Sequence, residues 1–103
     1  MGNTAASVVS GPQKMEKENV KELTFGAQDV LNLKEDKVKR KIDLQRAQAL
    51  GAQSKSNIKI YIQDEESNKF VIEATVWAAT EKNVTLKGGV IIPNRSIYKI
   101  GFF

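Results

Sequence analysis

With 103 residues, 16 Lys and Arg against 12 Asp and Glu, and a formal charge of +4, the chain has length for one domain and a modest basic excess compatible with phosphate or an acidic surface. It contains no cysteine and no histidine, which excludes a disulfide framework, thiolate metal ligation, and the commonest zinc ligand and general base. No apolar run approaches the roughly eighteen residues of a membrane span, and the first residues lack the basic and apolar regions of a secretion signal, so a cytoplasmic protein without membrane, metal or cofactor is expected.

Residues 1–14 are mostly Gly, Ser, Thr, Ala and Gln, with only Val8 and Val9 to bury, and such a stretch does not offset its ordering entropy. Residues 15–23 alternate Lys and Glu with mixed charge spacings, which supports at best a frayed helical turn. Residues 1–24 therefore read as a disordered or frayed tail, and residues 25–103 as the folded domain.

The clearest helical signature covers residues 32–50. Asn32 stands as N-cap with Glu35 three residues on, the spacing of a capping box, and Gly51 stands ready as a left-handed terminator. Val38, Ile42, Gln45 and Ala49 follow the helical period, with Leu44, Ala47 and Leu50 widening the apolar stripe. Lys37, Lys39, Arg40, Lys41 and Arg46 occupy the remainder, either as a solvated face or as a basic helix lying across a phosphate backbone.

The last third of the chain reads as strands. Ile58, Ile60 and Ile62 alternate with Lys59, Tyr61 and Gln63, the period of a strand with one buried face. Residues 64–68 are a turn, and residues 70–80 form a second strand long enough to bend and serve two halves of a barrel. A turn at Glu81, Lys82 and Asn83 leads to the third strand, and Gly88 with Gly89 can take the positive φ angles of the next hairpin. Val90, Ile91 and Ile92 show no alternation, so both faces of that strand ask for cover. Pro93 ends it, since proline has no N–H for a ladder, and residues 97–103 supply the last strand. Five short strands joined tightly predict a mainly β variant of an α+β fold, with an N-terminal helix followed by a five-stranded antiparallel small barrel. Val71, Trp77 and Ile91 fall on the outward parity; Trp77 packs beneath the helix on one reading and, with Ile91 and Phe103, forms a subunit interface on the other.

Residues 58–100 resemble the Sm-like family, most closely its bacterial RNA-chaperone branch, Hfq. The likeness lies in Tyr61 within IKIYI, in the uninterrupted run 74–86, and in Asn94, Arg95, Ser96 and Ile97, which resemble the basic turn and isoleucine of the family's second motif. The resemblance implies an oligomeric ring that grips single-stranded RNA. It departs from the family where Ala74 replaces a glycine, Thr80 an acid, Lys82 a stacking aromatic, and Pro93, Asn94 and Arg95 the residues of the uridine pocket. What remains is a rim of Lys82, Lys87, Asn94, Arg95 and Lys99, with Tyr61 on the opposite face, able to hold a phosphate backbone.

Two functions follow. One is a non-enzymatic RNA-binding module acting as a homo-oligomer; the other is a protein-interaction or structural barrel that meets a protein partner through Trp77, Ile91 and Phe103. Catalysis is not expected: Asp64, Glu65 and Glu66 sit in a turn, and Gly88 with Gly89 lacks the Lys and Ser or Thr of a phosphate loop.

Overall fold

The computed structural model describes residues 11–103. Residues 1–10, part of the segment read as a tail, lie outside the described residues. Of the rest of that segment, Gln13–Lys14 form a short strand (β1) and Lys17–Glu22 a 3-10 helix whose Val20 is buried in the core. One long helix follows, α1 at Lys34–Ser54, and then six strands: β2 (Ile58–Gln63), β3 (Lys69–Ala74), β4 (Val76–Ala79), β5 (Asn83–Leu86), β6 (Ile91–Pro93) and β7 (Ile97–Gly101).

The strands form two sheets, one of four strands in the order β1-β3-β2-β7 and one of three in the order β4-β5-β6. This corrects the expected N-terminal helix with a five-stranded barrel: the helix lies mid-chain, and seven strands form two sheets that do not close. The reason lies at β6, which is three residues long and ends on Pro93, after which a 3-10 turn at Asn94–Ser96 carries the chain to the far edge of the other sheet. Residues 70–80 serve both sheets by breaking at Thr75. Its hydroxyl donates to the Lys55 carbonyl and the Asn57 amide oxygen, and its own carbonyl accepts from Lys87 N–H at 2.9 Å.

The alternating isoleucines of β2 bury Ile58, Ile60 and Ile62 against Ile72, Leu86, Ile92 and Ile97. Helix α1 lies along β4 and β7, and of the predicted apolar stripe Leu44 and Ala47 are buried whereas Val38, Ile42, Gln45 and Ala49 are exposed. Asp43, Leu44, Ala47 and Gly51 form the buried face, while Val38 and Ile42 are 49% and 58% exposed. Close approach to β4 decides the rotation, because a Cβ on Gly51 would stand 2.1 Å from the Val76 carbonyl oxygen. Gly51 is thus a contact residue and not the terminator; the helix runs on to Ser54, and Lys55 takes the left-handed position with φ 55°. Nor does Asn32 cap the helix, since the N-cap is Leu33 with no side-chain cap bond. The entry is fixed instead by tertiary bonds of the lead-in segment: Arg40 holds both carboxylate oxygens of Asp29 at 2.7 and 2.8 Å and reaches the Ile97 carbonyl at 2.9 Å. Trp77 is 56% exposed, so it does not pack beneath the helix, and Ile91 is 58% exposed, so β6 is covered on one face and open on the other. Gly88 and Gly89 do take positive φ, 93° and 90°.

Candidate nucleic-acid interface

The four-stranded sheet has one face in the core and one outside, and the period of β2 sorts its residues between them. Tyr61 stands opposite Val71 on one side and Lys99 on the other; Lys59 stands opposite Glu73; Gln63 stands opposite Lys69. A register shift beside Tyr61 and Ile62 leaves two successive residues of β7, Tyr98 and Lys99, outside the core between buried Ile97 and Ile100. The bulge brings the rings of Tyr98 and Tyr61 together, centroids 5.8 Å apart and planes tilted by 58°.

Each ring carries a cation: the Lys99 ammonium lies 5.1 Å from the Tyr61 centroid, and that of Lys69 lies 5.1 Å from the Tyr98 centroid. At the end of the same face Lys59 lies 5.1 Å from the ring of Phe103, which is 75% exposed. With Lys14, whose ammonium is 3.8 Å from Glu73, the face gathers four lysines against one carboxylate. Burial first, and the neighbouring Tyr61 second, push the Tyr98 phenol above its ordinary 10.0, so it is a protonated O–H donor at neutral pH.

The arrangement can exchange partners. An exposed lysine over a ring is worth about 0.5–1 kcal/mol, whereas a base stacked on an aromatic ring contributes about 1–3 kcal/mol. The balance lets a planar group that stacks on either ring displace its ammonium.

The sequence-predicted residues divide into three places. Tyr61 and Lys99, expected on opposite faces, lie together on this sheet. Lys82, Asn94 and Arg95 lie about the 3-10 turn, and two of the three side chains bond the protein's own backbone: the Asn94 side-chain amide donates to the Thr80 carbonyl and Arg95 Nε to the Gly26 carbonyl at 2.6 Å, while Asn94 N–H donates to the Lys82 carbonyl and the Lys82 side chain stands exposed. Lys87 lines a polar groove with Lys17 and Lys55 that meets the lysine face only at Glu73. The single rim is therefore not assembled. Trp77 and Ile91 stand exposed on or beside the three-stranded sheet, while Phe103 belongs with Lys59.

Sequence reasoning missed Tyr98, Lys59 and Lys69. The parity shared with Tyr61 could have flagged Lys59. Tyr98 depends on the bulge, whose only trace in the sequence is that Ile97 and Ile100 are three apart where alternation asks for two or four. In comparisons with known proteins, no family model, curated protein or solved structure matches the chain. Among the described residues no helix is long and apolar enough to cross a membrane.

Proposed function

We propose that the chain is a non-enzymatic, cytoplasmic binding module for single-stranded RNA that uses the outer face of its four-stranded sheet. The paired rings of Tyr61 and Tyr98, each under a lysine ammonium, carry the reading. Stacking needs an accessible aromatic face, and backbone binding needs cations beside it; this surface supplies both within one strand spacing.

Fluorescence anisotropy with a labelled single-stranded oligonucleotide at low salt tests the reading. Replacing Tyr61 or Tyr98 by alanine weakens binding by about five- to a hundredfold, the loss of one stacked base. Both side chains lie outside the core, so each variant keeps its circular dichroism spectrum. Absence of wild-type binding at about 50 mM salt, where phosphate contacts are far stronger than at physiological salt, removes the proposal.

A second reading rests on Trp77 and Ile91, which leave the three-stranded sheet with an exposed apolar surface. That surface takes another protein chain, a second copy included. Trp77→Ser with Ile91→Ser then lowers the sedimenting mass, and an unchanged monomer mass in the parent chain counts against self-association.

A further inference from the structure

A cavity of about 260 Å³ opens between α1 and β7, walled by Asp36 and Asp43, by Lys39, Arg40 and Lys99, and by Tyr98 among others. Tyr98 is shared, packing beside Tyr61 on the outer face while it also lines this cavity. Asp43 is only 9% exposed. Its Oδ2 accepts from the Lys39 ammonium at 2.7 Å, and its Oδ1 has no hydrogen-bond partner among the described residues. The sole fully buried side-chain polar atom left without a partner among them is Asn94 Oδ1, so Asp43 Oδ1 remains reachable from solvent.

An ionised carboxylate only accepts hydrogen bonds, and a nearly buried one gains most from donors arriving in pairs. Among RNA bases, guanine presents two adjacent donors, N1–H and the exocyclic amine, on one edge. Adenine and cytosine present a single amine, and uracil a lone imide N–H between two carbonyl oxygens that repel a carboxylate. We infer that this cavity reads the base stacked on Tyr98 and selects guanine over uracil, Asp43 accepting from guanine N1–H and its exocyclic amine. Oδ2 has lone pairs enough to keep Lys39 while doing so. The inference rests on the RNA reading of the outer face and names the base that face prefers.

The test is anisotropy at low salt with labelled hexauridylate, the same oligonucleotide with one central guanosine, and one with inosine there, which lacks the exocyclic amine. The guanosine oligonucleotide binds about tenfold tighter than hexauridylate, in line with one well-placed bidentate contact, and the inosine one falls between. The guanosine and uridine oligonucleotides bind the Asp43→Asn variant equally. Equal affinity of the wild type for guanosine and uridine oligonucleotides overturns the base preference while RNA binding stands, and this comparison needs no variant. A preference that survives Asp43→Asn overturns the assignment to that carboxylate. If neither oligonucleotide binds, the RNA reading falls and the preference with it.

Discussion

Arg40 joins three parts of the chain through one guanidinium, pairing bidentately with Asp29 and donating to the Ile97 carbonyl. The side chains are 10% and 24% exposed, so the pair is little screened. Burial alone raises the pKa of Asp29, but the hydrogen bonds from Arg40 and Leu31 N–H, with the charges of Arg40 and Lys37, outweigh it and hold the carboxyl below its ordinary 3.8. A carboxyl lowered in the folded state contributes stability that is fully present above 3.8 and is lost as pH falls through its lower folded value. Asp29→Asn is thus expected to cost about 1.5–3 kcal/mol at neutral pH, as for hydrogen bonds to a charged partner, and progressively less in acid. Urea midpoints from neutral pH downward check this; parallel losses at every pH would show that the ion pair is not the cause. Gly51 gives a second residue-scale prediction. Alanine there gains about 1 kcal/mol of helix propensity, but its Cβ would meet the Val76 carbonyl oxygen at 2.1 Å, and backbone has to move. Overpacking costs of about 1–3 kcal/mol outweigh the gain, so Gly51→Ala lowers the urea midpoint, whereas Ala52→Gly on the exposed side of the same turn loses only propensity.

At the scale of elements, α1 ends on a residue poorly suited to its conformation. Lys55 takes φ 55°, a region that costs an L-residue on the order of 1–2 kcal/mol, and its N–H closes onto the Gly51 carbonyl. Lys55→Gly is expected to raise stability by up to about 1 kcal/mol once the added freedom of the unfolded chain is counted; a fall in melting temperature would show that the lysine side chain holds the turn. Local chemistry made much of this architecture legible. The alternation of Ile58, Ile60 and Ile62 marks β2, and Gly88 with Gly89 marks the hairpin before β6. Features set by distant contacts were not legible. The face of α1 turns on the approach of Gly51 to Val76, the helix entry on Asp29 meeting Arg40, and the parallel pairing of Gln13 and Lys14 with Phe70 and Val71 on a strand more than fifty residues away. The candidate site divides the same way. Tyr61 and Lys99 announce themselves by parity and charge, but their meeting with Tyr98 and Lys69 requires the sheet order β3-β2-β7 and the bulge within it.

Over the whole molecule the two sheets present unlike surfaces, lysines and tyrosines outside the four-stranded one and Trp77 with Ile91 about the three-stranded one. If the first surface grips a single strand, Lys59, Lys69 and Lys99 are the cations beside the rings and three phosphates are the natural count. Each neutralised phosphate on a single strand contributes about −0.7 to the slope of log affinity against log salt, so the expected slope is about −2 and affinity falls about twentyfold between 50 and 200 mM salt. Location sharpens the test. Lys99→Gln removes one cation from the face and should flatten the slope by about 0.7, while Lys87→Gln, in the groove with Lys17 and Lys55, changes the net charge equally and should leave it alone. Equal effects of the two variants would mean that RNA senses only the overall charge of the protein. A slope near zero in the parent chain would mean that the lysines over the tyrosines never leave their rings.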